Sequence, residues 1–467
     1  MSHKKPFPKP LPLKKLIGPS FIILALGLGS GEVILWPYLA SNYGLGIAWG
    51  ALLGITFQFF MNMEIERYGL VKGESVFVGL AKMWKAAPAW FIFSTFVGFG
   101  LPGIIAASAQ VFASLLGFES HAFLAIIMLI GIGIFLSLGK TVYGMMEWLT
   151  TRVIFICVPF ILVLALYLAT KADWTALLQG IGGHGDGYRW LPAGIPFAAF
   201  FAAFAYSGAG GNLNLTQSIY VKEKGYGMGA YSERISGLFR KKGGHKQIRL
   251  EGHDFALTKE NLSRFDVWWR RINIEHGIVF WFLGALAMML LMLLSYVLTF
   301  GNPTNLEGIQ FVMNQGTLLS STLSPFVGAL FLIAVTVMLF QTQLGVLDST
   351  SRIMAENAAL RSIAKHKKTT VNLSKYYFTF LWAQIAFGIF LFLIGITEPK
   401  LLIILGAVIN AFAMFVHIGL VQILNRVALP KPVQPGMFRK LVMLTIFLVF
   451  AVFSAYTIYS QIIVKFL

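Results

Sequence analysis

Gly18-Pro19-Ser20-Phe21-Ile22-Ile23-Leu24-Ala25-Leu26-Gly27-Leu28-Gly29-Ser30-Gly31-Glu32 opens the first long apolar run of the chain, and a second stretch answers it. That one reads Gly194-Ile195-Pro196, then a Phe/Ala-rich run, then Ser207-Gly208-Ala209-Gly210-Gly211-Asn212. In each, a proline near the start precedes a glycine cluster by ten to twelve residues. Glycine in a helix interior costs roughly 1 kcal/mol against alanine, so several together should unwind the segment. In a membrane, unwound backbone is tolerated only when buried in protein or lining a cavity. Small residues also serve close helix packing, but two clusters in corresponding places point to a site.

The rest of the sequence sets these stretches in a membrane. Of 467 residues, 57% are hydrophobic and only 12% charged, against roughly 25% charged in soluble domains. The formal charge of +18 suits a nucleic-acid binder only until the charges are located, because apolar runs of about 20 residues separate them. Cys157 is the single cysteine, which excludes a disulfide framework or thiolate metal cluster. Eleven transmembrane helices are predicted near 16–40, 44–66, 89–116, 122–139, 147–170, 192–220, 274–300, 322–355, 375–396, 399–424 and 438–464. The basic, proline-containing start, 1–15, lacks a following cleavage site, so helix 1 is read as a retained span. With the N-terminus in the cytoplasm, all but four of the 37 Lys and Arg fall inside; Lys171, Arg189, Lys400 and Lys465 lie outside. This partition obeys the positive-inside rule and predicts a multi-pass protein of the plasma or inner membrane with its C-terminus outside. The 221–273 connection, with Arg240-Lys241-Lys242 and the Trp268-Trp269 doublet, reads as a solvated cytosolic loop with an interfacial aromatic anchor.

Discontinuous first and sixth helices in an eleven-helix chain match the plan of many secondary transporters: two five-helix inverted repeats, here 16–170 and 192–424, plus one helix at 438–464. The expected class is all-α integral membrane, with a substrate site at the midplane between the two breaks. No phosphate-binding loop, zinc-protease motif or nucleophile elbow is present, so neither ATP hydrolysis nor enzymatic activity is expected.

Gly18-Pro19-Ser20-Phe21, Gln58, Tyr68-Gly69-Leu70, Lys72-Gly73-Glu74-Ser75 and Asn212-Leu213-Asn214-Leu215 resemble segments of the Nramp family of divalent-metal transporters. The resemblance implies the eleven-helix LeuT-like fold. It also implies Asp-Pro-Gly-Asn at the first break and Met-Pro-His at the second, with Asp, Asn and Met ligating the metal. This chain has Gly29, Ser30, Gly31 and Glu32 at the first, and Ala209, Gly210 and Gly211 at the second. Where the family carries acidic helix 3 residues for proton movement, it has Leu101-Pro102-Gly103-Ile104-Ile105.

Soft metals need N or S donors or several carboxylates, so the expected cargo shifts to a small anion, bicarbonate or a short carboxylate. Exposed N–H groups and helix N-termini would hold it. The Gly29-Ser30-Gly31 triplet also resembles the helix 1 motif of amino-acid transporters sharing this architecture. Expected substrate contacts are Gly29, Ser30, Gly31, Glu32, Ser207, Gly208, Ala209, Gly210, Gly211 and Asn212. The expected coupling ion, Na⁺ or H⁺, uses Gly27, Glu32, Asp348, Ser349 and Thr350, with sodium favoured by the helix 8 hydroxyls. A structural pair between Asp348 and Arg352, one turn on, competes with that role. Alternatives are a divalent metal (Mn²⁺ or Mg²⁺), an amino acid, and a non-transporting receptor. No cofactor, resident metal or nucleic acid is expected; the partners are the lipid bilayer and the substrate, and the chain is expected to be a monomer.

Overall fold

The structure, a computed structural model, describes residues 4–13, 16, 18–138, 142–233 and 247–459. Arg240-Lys241-Lys242, Lys465 and the end of the predicted helix 11 lie outside the described residues. Nine helices among them are long and apolar enough to cross a membrane. The other two places in the predicted order are taken by the shorter apolar helix Ala122–Leu138 and by a split helix, Phe197–Ala205 and Thr216–Lys224. In chain order, helix 1 is Pro19–Tyr43, itself split, helix 2 reaches Lys72 and helix 3 is Ala87–Leu116. Helix 4 is Ala122–Leu138, helix 5 Val142–Leu168 and helix 6 the split pair. Helices 7 to 10 are Lys259–Thr299, Pro325–His366, Leu373–Leu393 and Pro399–Ala428. Helix 11 is Met437–Ile458.

Burial separates an inner from an outer ring. The apolar window of helix 1 is 100% buried in protein, that of helix 11 only 22%. Helices 4, 5, 9 and 11 turn Phe123, Phe155, Ile156, Leu393 and Val452 outward, as a lipid-facing belt requires. Helix 1 packs between helices 5, 7 and 8, so its broken segment is shielded from lipid on every side.

Helix ends follow local chemistry. Ser324 accepts from the Val327 amide and caps helix 8, whose first residue is Pro325. Gly73 and Gly117 close helices 2 and 3 in the left-handed region, where glycine pays no Cβ penalty. Between helices 5 and 6 the chain forms the helix Lys171–Ile181, opened by a Thr170/Asp173 capping box, and a two-stranded hairpin, His184–Gly185 with Tyr188–Arg189. Asp186-Gly187 is the hairpin turn, with Gly187 at φ +79°, as such turns demand.

Three boundaries differ from the sequence reading. Helix 3 is interrupted, Ala87–Phe99 then Gly103–Leu116, because Pro102 cannot donate to the ladder. Helix 8 runs on to His366. Helix 7 begins at Lys259, and its amphipathic first part joins the apolar part through a π-turn at Gly277–Phe282. The expected solvated loop with an aromatic anchor is therefore corrected. Trp268 is 1% exposed and donates to the Pro8 carbonyl at 3.0 Å. Pro6, Pro8 and Pro10 lack N–H groups, so this segment cannot build a ladder of its own, and its carbonyls take donors from helix 7. Arg264 binds Phe7 O at 2.8 Å, and Arg271 binds Leu11 O at 2.6 Å. The start of the chain is a strap laid along helix 7.

Candidate functional site

Both predicted breaks are present and face one another. The first half of helix 1 ends at Gly27; Leu28 and Gly29 leave the helix, and Ser30–Leu35 form a π-turn before Trp36–Tyr43 resumes. Helix 6 stops at Ala205 and restarts as a tight turn at Gly211–Leu215. Gly208, Gly210 and Gly211 have φ of +123°, +69° and +53°, which L side chains adopt only under strain. A Cβ on Gly27 would lie 2.5 Å from Glu32 Oε1 and 2.7 Å from Gly208 Cα. One on Gly31 would overlap the Tyr206 carbonyl. The glycines therefore serve the break and close packing together. Ser30, Ser207, Ala209 and Asn212 are buried at the same junction.

Three of the backbone donors expected to face an anion have partners within the protein: Gly29 N–H is taken by Gly27 O, Gly208 N–H by Tyr206 O at 2.8 Å, and Gly210 N–H by Gln58 Oε1 at 3.0 Å. Ser207 donates to Ala203 O and accepts from Trp36 Nε1. The buried ionisable group left without a side-chain partner is an acid. Glu32 is 0% exposed, and neither carboxyl oxygen makes a hydrogen bond of normal geometry. Other buried amide atoms also lack partners: Asn212 Oδ1, Asn410 Oδ1, and both the oxygen and the nitrogen of Gln341 and of Asn214. Asn212 is oriented by helix 3, donating to Ser94 and Thr95 at 2.8 and 3.0 Å. Asn410 donates to Gly98 O and to the Tyr206 hydroxyl, and a Cβ on Gly211 would strike it. Beneath Tyr206, at the helix 3 interruption, lies a cavity of about 10 Å³ lined by Gly98, Ile104, Gln343 and Gly406, enough for one water.

The helix 8 residues expected to bind a coupling ion are not brought to Gly27. Asp348 accepts from Arg352 Nε at 2.9 Å, Tyr220 at 3.0 Å and Tyr377 at 2.7 Å. Arg352 also binds Glu223 at 2.6 Å. Ser349 meets the same Tyr220 hydroxyl at 2.7 Å, and Thr350 turns to Gln384 on helix 9 at 2.7 Å. The competing structural pairing of Asp348 describes this geometry. The helix 8 hydroxyl beside helix 1 is Thr342, bonded to Ala25 O at 2.9 Å and packed against Gly29. It lies two turns before Ser349, about 10 Å along the axis. Its signal was the polar run Gln341-Thr342-Gln343. Among the described residues no group of three or more His, Cys, Asp or Glu is placed to hold a metal ion.

No family model matches the sequence, and no curated protein matches it by sequence. Solved structures do match. A histidine-to-alanine mutant of the Eremococcus coleocola manganese transporter superposes with a TM-score of 0.70 at 12% identity, covering 99% of this chain and 91% of that one. The same transporter bound to an aromatic bis-isothiourea compound gives 0.68 at 12% identity, over 97% and 89%. MhsT, solved with L-phenylalanine, gives 0.52 at 14% identity, over 94% and 98%. The chain has the LeuT fold. Its Nramp resemblance holds at the level of the fold, and the discontinuous helices 1 and 6 belong to that architecture.

Proposed function

We propose that this LeuT-fold membrane protein is a secondary transporter whose cargo is a hard, partly hydrated divalent cation of the Mn²⁺/Mg²⁺ class. One observation carries the choice over a small anion: among the described residues the Glu32 carboxyl is buried between the two breaks with no basic side chain and no side-chain hydrogen-bond donor, only the backbone N–H groups of Glu32 and Gly208 facing it. An unpaired buried carboxylate costs several kcal/mol, and an anion beside it adds to that cost, whereas a cation offsets it. The surrounding acceptors are amide and backbone oxygens, without the thioether, imidazole or thiolate that a dehydrated soft metal selects. Mg²⁺-like ions keep several waters and accept one or two carboxylates, which suits a single Glu32 and an aqueous shell that the open conformation admits. The manganese transporter with the same fold supports this reading.

The test is flux into proteoliposomes. Mn²⁺ or Mg²⁺ uptake that falls on the order of a hundredfold in Glu32→Gln, with unchanged size-exclusion behaviour, is expected for removal of the only charged ligand. Bicarbonate or carboxylate uptake without divalent-cation flux refutes the proposal.

A further inference from the structure

Eight acidic residues are buried among the described residues, and their partners sort them. Glu64, Glu74, Glu223, Asp348 and Glu356 each have an Arg or Lys within salt-bridge distance. Glu32, Glu66 and Glu275 have none. Glu32 belongs to the break; Glu66 and Glu275 lie apart from it, on helices 2 and 7.

A polar seam leads from the break to these two. Gln58, which holds the Gly210 amide and donates to Ala205 O, begins a row at four-residue spacing on helix 2 continued by Asn62 and Glu66. All three are 0% exposed. Both amide atoms of Asn62 lack partners, as do Glu66 Oε1 and Gln217 Oε1. Gln217 Nε2 donates to Glu66 Oε2 at 3.1 Å. Glu275 accepts at Oε2 from Ser20 of helix 1 at 2.6 Å, and the same hydroxyl meets His276 Nδ1 at 2.7 Å. Tyr226, its hydroxyl also unpartnered, lies within electrostatic range of both acids. The remaining charged and titratable neighbours are Tyr143 and Glu147 of helix 5 and Lys224 of helix 6, and Lys224 is already bound by Glu147 at 2.6 Å.

We infer that Glu66 and Glu275 are proton carriers linking the helix 1/helix 6 junction to the inner face, the N-terminus being inside. This rests on the cation-transport reading above for what the protons accompany. Two carboxyls fully buried, with no paired basic side chain and only one oxygen of each hydrogen-bonded, are stable there only in the neutral form. The oxygens of the seam are strung out one helical turn apart, about 6 Å, so they form a relay and not a coordination cage. Ser20 sits on the first half of helix 1. Movement of that half breaks its bond to Glu275 and admits water; the carboxyl O–H then breaks, the proton passes to water, the carboxylate is re-protonated from Glu66 through the Tyr226 and Gln217 region, and Glu66 takes its next proton from water entering at the helix 1/helix 6 junction. The route takes the place of the helix 3 acids that this chain lacks.

The experiment uses Glu66→Gln and Glu275→Gln, each of which keeps the shape and neutrality of the protonated acid. Mn²⁺-loaded gradients across proteoliposomes with a pH-sensitive dye inside are expected to show proton movement reduced on the order of a hundredfold while Mn²⁺ still moves down its own gradient. An unchanged proton-to-Mn²⁺ ratio in both variants, or transport that requires sodium, overturns the relay. A second measurement needs no cargo: infrared spectra of the detergent-solubilised protein near neutral pH should contain protonated-carboxyl C=O bands that each Gln variant loses. Their absence overturns the relay. If wild-type vesicles move no Mn²⁺, the cargo reading fails, while loss of those bands in the variants still supports protonated carriers.

Discussion

Replacing Arg352 by Gln tests whether the helix 8 acid is structural or ion-binding. Arg352 is 1% exposed and bridges two buried carboxylates, Asp348 at 2.9 Å and Glu223 at 2.6 Å. Removing one member of a buried pair costs about 3–5 kcal/mol, chiefly because the other charge is left uncompensated. Here two charges are left, and the relief is small. Tyr220 and Tyr377 still donate to Asp348, worth about 1 kcal/mol each. The complementary change, Asp348→Asn, removes a charge instead of stranding one. Arg352 keeps Glu223, an amide oxygen can still accept from the tyrosines, and the cost should be about 1–3 kcal/mol. Thermal unfolding of detergent-solubilised, monodisperse protein should therefore rank Arg352→Gln well below Asp348→Asn, with a double variant better than the sum of the two because these residues share one network. The structural reasoning is refuted if Asp348→Asn is the costlier change, or if it leaves stability intact and abolishes sodium-stimulated uptake.

Two further outcomes follow from local geometry. Gly208→Ala forces φ +123° on an L residue and places Cβ 2.8 Å from Gln58 Oε1, a strain of about 1–3 kcal/mol; Gly131→Ala on helix 4, where a Cβ meets nothing within 4 Å, should gain about 1 kcal/mol, and paired melting curves check both. Glu251 has its carboxyl held below the ordinary range, first by the hydrogen bond from Lys82. Its contribution is present above the ordinary carboxylate pKa and lost as pH falls through the depressed one. Proteolysis of the 247–258 segment should accelerate on acidification, and Glu251→Gln should remove that pH dependence.

The breaks were legible because glycine clusters state their own conformational preference, and the apolar spans because lipid demands them. What lies across a break is not local. The Asp348–Arg352 pair could be read at one-turn spacing, but Tyr220, Glu223 and Tyr377 reach it from other helices. Glu66 and Glu275 were hidden by a boundary effect: the predicted helix 2 ended at 66 and helix 7 began at 274, so both acids looked like solvated termini. The polar composition of Lys259–His276 concealed a continuous helix, buried on one face by the strap. The anion expectation rested on the backbone N–H groups of the breaks, and the sequence carries no sign that two carbonyls and Gln58 take those of Gly29, Gly208 and Gly210.

The π-turn at Gly277–Phe282 holds helix 7 in a register one residue longer than an α-helix needs. Were that turn to tighten to α geometry with no residue removed, everything before it would rotate by about 100° about the helix axis. The face of Lys259–His276 that carries Arg264, Trp268 and Arg271 would then point away from Pro6–Leu11. The grip on the start of the chain is thus set by an insertion in helix 7 that lies outside every contact of the strap itself.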